Sequence, residues 1–338
     1  MNCTVGGVCP ATTLTKRLHL SAGRPYAIKI EYYQTVRGAE ARLEWGLPGV
    51  EEQAAETAAR LADLVVMVLG LSARIEGEQM KLEAEGFAGG DRTSIELPHP
   101  QLELLQRVHA LGKPIVLVLC TGSALGINWA DEHIPAILNA WYPGEAGGEA
   151  VAQALAGDFS PAGRLPVTFY RSVDQLPPFE DYSMANRTYR YFNGEPLYPF
   201  GFGLSYTSFV FSNIRADRSE VSADGEVTVS ADVSNSGRVP GDEVVQLYLS
   251  HDGIAGAPRR ALQAFQRVHL APGQRTTVSF ALRGRALSIV DETGQRRIIP
   301  GRVDVWIGGG QPAVASGRFP GAGGQTQFSI ASAATLPD

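Results

Sequence analysis

Leu64-Val-Val-Met-Val-Leu69 is an unbroken apolar run, and Gly70-Leu-Ser-Ala-Arg-Ile-Glu-Gly-Glu-Gln-Met80 follows it directly. A run this short and this uniform reads as a strand buried on both faces, the mark of a parallel sheet sandwiched between helices. Open α/β sheets bind their ligands beyond the C-terminal ends of the strands. Glu76 and Glu78 fall at such an end, two residues apart, and so are candidates for acid/base work.

The flanking sequence repeats the pattern. Glu51 to Asp63 is rich in Ala and Glu and reads as a helix. Pro100 to Leu111 carries apolar residues at helical spacing, and Gly112-Lys-Pro114 ends it. Ile115-Val-Leu-Val-Leu-Cys120 is a second apolar strand, and Ile134 to Trp141 contains a third. A glycine-rich turn and a helix from Ala150 to Ala156 follow. Helices alternating with apolar strands predict an α/β/α sandwich with a mostly parallel sheet.

Both ends of the chain are β-patterned. Leu18 and Leu20, then Tyr26, Ile28, Ile30 and Tyr32, then Leu43 and Trp45 alternate with polar residues, and Ala22-Gly-Arg-Pro25 breaks the run. So short a β segment buries little surface alone and reads as the end of a larger β module. From about residue 209, Val227–Val233, Val244–Leu249, Thr277–Leu282 and Arg302–Ile307 alternate between Gly, Pro and Asn turns. Such spacing predicts an immunoglobulin-like β-sandwich. The expected domains are a partial β segment over 1–50, the α/β sandwich over 51–207, the β-sandwich over 208–331 and a loose tail over 332–338.

The 338 residues are 44% hydrophobic with a net charge of −6 and no basic stripe, which argues against nucleic acid as partner. No apolar run is long enough to cross a membrane. No basic segment precedes an apolar one at the start, so no signal peptide is read, and localisation stays open. Cys3 and Cys9 are spaced for a small disulfide loop, but three cysteines make no framework, and Cys120 reads as a small buried hydrophobe. His19, His99, His109, His133, His251 and His269 show no metal spacing, and no metal or cofactor is expected.

Each motif has a plainer reading beside the chemical one. Glu76 and Glu78 are either an acid/base pair or two solvated loop carboxylates; a general acid needs an apolar or anionic setting, which a like-charged neighbour helps to supply. Asp91-Arg92 is either an ion pair pinning its loop or a substrate contact through Arg92. Tyr142-Pro-Gly-Glu-Ala-Gly-Gly148 lacks both the P-loop ending and the dinucleotide spacing, so tight strand-to-helix packing is its better reading. Thr121-Gly-Ser-Ala-Leu-Gly126 is not a nucleophile elbow. Tyr182, Tyr189, Tyr191, Phe192, Tyr198, Phe200 and Tyr206 crowd one segment and read mainly as cement between domains, though such rings also stack on sugars.

Ile75-Glu-Gly-Glu78, Gly90-Asp-Arg-Thr-Ser-Ile-Glu-Leu-Pro98, Ala140-Trp-Tyr-Pro-Gly-Glu-Ala-Gly-Gly148, Gly163-Arg-Leu-Pro-Val-Thr-Phe169, Leu176-Pro-Pro-Phe179, Asp181-Tyr182, Arg187-Thr-Tyr-Arg-Tyr191 and Tyr198 to Tyr206 resemble, in that order, the C-terminal half of glycoside hydrolase family 3 β-glucosidases and β-xylosidases. The later strands are similar to the fibronectin type III-like domain that ends many members. Residues 11–48 look like the end of a protective-antigen-type β-sandwich insert.

The resemblance implies hydrolysis of terminal β-linked sugars by a retaining mechanism, on a β-linked oligosaccharide or glycoside, without a cofactor. By the match at Ile75–Glu78, Glu78 is the first choice for acid/base and Glu76 the second; Arg92 and Asp91 are candidate substrate contacts. The family nucleophile is an Asp on a (β/α)8 barrel, which takes roughly 250 residues. Only a short β-patterned stretch precedes the α/β segment here, so the chain alone is expected to be inactive, with a barrel supplied in cis or in trans. A non-catalytic glycan-binding module and a structural remnant are the alternatives.

Overall fold

The structure is a computed structural model that describes residues 18, 19, 21, 23–27, 29, 49–80, 82, 84–312, 319 and 321–337. By its contacts the chain divides into residues 1–55 and 56–338. In the first unit the Ser21 amide donates to the Tyr26 phenol oxygen at 2.9 Å, and the Arg24 guanidinium lies 5.6 Å over the Tyr26 ring. Most of the β segment expected over 1–50, and the Cys3–Cys9 loop, lie outside the described residues.

The α/β part runs α1 (Val50–Leu61), β1 (Val65–Gly70), a hairpin of β2 (Phe87–Ala88) and β3 (Asp91–Arg92), α2 (His99–His109), β4 (Ile115–Cys120), α3 (Asn128–His133), β5 (Ala136–Asn139) and α4 (Gly147–Ala156). β1, β4 and β5 form a parallel sheet in the order β1-β4-β5, with Val65 opposite Ile115 and Val116 opposite Ala136. Pro100 lies in the first turn of α2, where a missing amide proton costs nothing. Leu105 and Val108, three residues apart, bury one face of that helix against Leu117 and Leu119 of β4 in a shared core. α4 stops at Gly157, whose φ of 81° carries a left-handed cap donating to Gln153 and Ala154.

The expectation that each strand is covered on both faces fits β4 and fails for β1, and β5 has no fully buried residue. Met67 is 8% exposed, yet Leu64, Val66 and Val68 on the opposite face are 52%, 45% and 61% exposed. Among the described residues β1 is an edge strand, paired only with β4, and separately what packs on it covers the Met67 face and leaves the Val66–Val68 face open. Cys120, expected to be buried, is half-buried and free.

After a short helix α5 (Thr188–Tyr191), the remainder is a β-sandwich: β6 (Phe209–Ala216), β7 (Glu220–Val221), β8 (Glu226–Asn235), β9 (Gly241–His251), β10 (Ala261–Leu270), β11 (Arg275–Arg283), β12 (Ile289–Val290), β13 (Arg296–Ile298), β14 (Gly301–Gly308), β15 (Gly323–Ile330) and β16 (Ala334–Leu336). One sheet is ordered β10-β9-β14-β15-β7 and the other β11-β8-β6. Val245, Leu247 and Leu249 of β9 alternate inward toward Val227, Val229, Ala231 and Val233 of β8 in a second core. β6 and β10 were not legible as strands. β10 has only its two end residues buried, and Phe265 in its middle is 68% exposed, so burial left no alternation to read.

The segment read as a tail over 332–338 contains a short strand. Ala334–Leu336 pairs antiparallel with Arg296–Ile298, and that pairing ties the end down. The aromatic segment does bridge the two cores. The Leu262 amide donates to the Tyr189 hydroxyl at 3.1 Å, and Tyr189 stacks on Phe200 at 4.0 Å and meets Tyr248 edge-on. Arg164 beside the α/β core pairs with Glu243 of β9 at 2.6 Å, both nearly enclosed. Tyr182 departs from that role: it is 90% exposed.

Candidate active site

Three loops leave the same edge of the parallel sheet. Leu71 after β1 donates to Cys120 O at 2.7 Å, and Thr121 after β4 donates to Trp141 O at 3.2 Å. Gly70 permits the first crossing: its φ is 131°, and a Cβ there would lie 1.9 Å from Cys120 O. Beyond this edge opens a cleft of about 500 Å³ lined by Glu76, Glu78, Asp91, Arg92, Ile95 and Ser123, among others. All four candidates therefore share one concavity at the place the strand ends predict.

Their settings differ sharply. Glu76 is half-buried, and both its oxygens are engaged: Tyr142 donates its hydroxyl to Oε2 at 2.5 Å and Ser123 donates to Oε1 at 3.3 Å. Glu78 is exposed and, among the described residues, makes no hydrogen bond or ion pair. Its loop is tied to the β2–β3 turn, where Gly77 donates to Gly90 O at 3.3 Å and Met80 to Gly89 O at 2.6 Å. Gly90 is required there, since its φ is 93° and a Cβ would lie 1.8 Å from Gly77 O.

Among the described residues, Asp91 and Arg92 do not pair with each other. Asp91 is exposed. Arg92 donates through Nε to Ser94 O, through Nη1 to Ser123 Oγ at 2.9 Å and Ala124 O at 3.1 Å, and through Nη2 to Glu96 O at 3.2 Å. Burial lowers the Arg92 pKa from its ordinary value, and the nearby Glu76 charge opposes that. Its donors are mostly spent on backbone carbonyls, so it shapes the loop as well as lining the cleft.

Tyr142 and Ser123 were missed as site residues. Tyr142 lies 66 residues from Glu76, inside a glycine-rich turn that reads as packing, and Ser123 lies 47 away, in a turn that reads only as no nucleophile elbow. Gly122 between them leaves the room they need, for a Cβ there would meet the Tyr142 ring at 2.7 Å and Glu76 Oε2 at 3.3 Å. Burial, then the Glu76 hydrogen bond and charge, pushes the Tyr142 phenol up to about 12. The phenol thus stays protonated and remains a donor. Since its folded pKa exceeds the unfolded value of about 10, the bond contributes fully below that pH. The contribution is lost as pH rises through about 12. Among the described residues no cluster of three His, Cys, Asp or Glu side chains is placed to hold a metal.

Residues 8–206 match the glycosyl hydrolase family 3 C-terminal domain, and residues 243–311 match the fibronectin type III-like domain. The chain is 39% identical over 90% of its length to a xylan 1,4-beta-xylosidase of Xylanibacter ruminicola, and 38% identical over 78% to a periplasmic beta-glucosidase of Salmonella typhimurium. In each case it spans 35% of the relative. The crystal structure of a beta-glucosidase from Kluyveromyces marxianus in complex with glucose superposes with a TM-score of 0.72 at 27% identity, over 87% of this chain and 35% of that one.

Proposed function

The chain belongs to glycoside hydrolase family 3, and on that premise we propose that it carries the proton-donating half of a retaining β-glycosidase. Glu78 is the acid/base. It protonates the leaving oxygen of a terminal β-linked glucoside or xyloside and later takes a proton from the incoming water. The nucleophile that completes the pair is a carboxylate set roughly 5–5.5 Å away. In this reading it stands on a (β/α)8 barrel, in cis or in trans, whose top face meets the cleft. The 338 residues alone are then inactive, because an acid without its nucleophile forms no glycosyl-enzyme intermediate. Residues 51–207 and 208–331 serve as its two domains, each with its own hydrophobic core.

One observation carries the choice between the carboxylates: Glu78 lines the cleft with its oxygens free among the described residues, while both Glu76 oxygens are bonded. Asp91 and Arg92 line the same cleft and are proposed to border the sugar. The test compares Glu78→Gln with Glu76→Gln in the chain joined to a barrel, on aryl β-glucosides and β-xylosides. Glu78→Gln is expected to lower kcat/KM about 10²–10⁴-fold for poor leaving groups, and far less for activated ones that need no proton. A flat leaving-group dependence for Glu78→Gln, or the steep one for Glu76→Gln instead, overturns the assignment.

A second reading, a glycan-binding module, draws on Phe179 and Tyr182, which are 88% and 90% exposed on a loop pinned by Arg187 through Pro178, Asp181 and Ser183 carbonyls. It requires oligosaccharide to bind the isolated chain and Tyr182→Ala to weaken that binding.

A further inference from the structure

We propose that Tyr142 is a positioning residue for the proton donor: with Ser123 it anchors the Glu76 carboxylate, and that anchor holds the Glu78 side chain to the cleft. The inference rests on the reading of Glu78 as acid/base and adds a residue to it.

The Glu78 side chain has no partner among the described residues, so its direction is set by the backbone that carries it. That backbone is soft on one side and strained on the other. Gly77 has no Cβ to restrict it. Gln79 has a φ of 51°, a left-handed conformation unusual for a residue with a Cβ. Such a conformation persists only where the surroundings over-determine it. Two backbone bonds, Gly77 to Gly90 and Met80 to Gly89, hold the segment against the β2–β3 turn. The second hold is the Glu76 side chain, which reaches the loop after β4 through Ser123 and the loop after β5 through Tyr142.

Hydrogen bonds to a carboxylate are stronger than neutral ones, and the Tyr142 contact at 2.5 Å is the shorter of the two. Ser123 Oγ also receives Arg92 Nη1, so its own bond to Glu76 at 3.3 Å is shared work. Glu76 thus joins three loops that leave three different strands. Removing Tyr142's hydroxyl frees one of its oxygens and loosens the turn that precedes Glu78, without touching either core.

The test uses the full chain with Tyr142→Phe, Ser123→Ala, Glu76→Gln and Glu78→Gln. Phenolate absorbance, wild type minus Tyr142→Phe, isolates the Tyr142 titration; in Glu76→Gln its midpoint falls from about 12 toward the ordinary value. Amide exchange at Gly77–Met80 speeds up about tenfold in Tyr142→Phe, the size of one lost hydrogen bond, and stays unchanged in β4. With a barrel joined, Tyr142→Phe lowers kcat about tenfold on poor leaving groups with KM little changed, and leaves activated substrates nearly untouched. An unmoved Tyr142 midpoint in Glu76→Gln, or unchanged exchange at Gly77–Met80, overturns the anchor. A flat leaving-group dependence for Tyr142→Phe beside a steep one for Glu78→Gln overturns the positioning role alone. A flat response in Glu78→Gln itself sinks the acid/base reading instead.

Discussion

Two glycines show how single positions set the cleft. Gly90 and Gly112 both have left-handed φ values, 93° and 72°, yet of the two only Gly90 is crowded: a Cβ there lies 1.8 Å from Gly77 O, whereas among the described residues nothing beyond the chain neighbours lies within 4 Å of one at Gly112. Gly112→Ala is expected to cost about 1–2 kcal/mol from backbone strain alone. Gly90→Ala adds a collision with backbone and is expected to cost about 2–3 kcal/mol, with the loop before Glu78 displaced. Denaturation midpoints at constant slope check both. Similar costs for the two would mean that the close approach of Gly77 matters little. The cleft was half legible at this scale. Glu76, Glu78, Asp91 and Arg92 stand close together in the chain, and a strand end brings them to one place. Tyr142 and Ser123 were invisible because their role exists only once β4 and β5 lie beside β1.

Among the elements, β1 is the informative failure. Its composition reads as a strand buried on both sides, and the pairing with β4 is parallel as that reading requires. Alternate residues nevertheless meet different surroundings, with Met67 inside and Val66 and Val68 out among the described residues. Met67→Ala is expected to destabilise by about 2–5 kcal/mol, the cost of a core cavity. Val68→Thr is expected to change stability by less than about 0.5 kcal/mol. Thermal or chemical unfolding of the two variants separates them. A large loss at Val68 would show that face to be covered in solution. Composition records what a strand can tolerate, and only its neighbours decide which faces are used.

At the scale of the molecule, a buried ion pair joins the two cores beside the aromatic bridge of Tyr189, Phe200 and Tyr248. Arg164 and Glu243 pair at side-chain exposures of 8% and 5%, and Arg164 also donates to Gly309 O while Gln246 reaches Gly201 O and Gly309 O. Burial raises the Glu243 carboxyl above its ordinary value, and the guanidinium pulls it back. Arg164→Ala would strand that carboxylate and is expected to destabilise by about 3–5 kcal/mol. Arg164→Met with Glu243→Leu is expected to recover much of it, because a buried pair replaced by apolar groups of similar size is often neutral. Calorimetry should show one transition in the wild type and a broadened or split one in Arg164→Ala. An unchanged single transition would mean that the aromatic bridge through Tyr189 couples the cores unaided.

The sequence by itself determined the class of fold, the order of its layers, the family and the strand end at which the candidate carboxylates gather, because those follow from local periodicity and from residues close together in the chain. Among the described residues, tertiary structure alone decided which carboxylate is bonded and which is free, that β1 is an edge, that the last strand pairs, and that Arg164 meets Glu243. Each of these depends on groups far apart in sequence coming within hydrogen-bond or packing distance, and no local pattern carries that information.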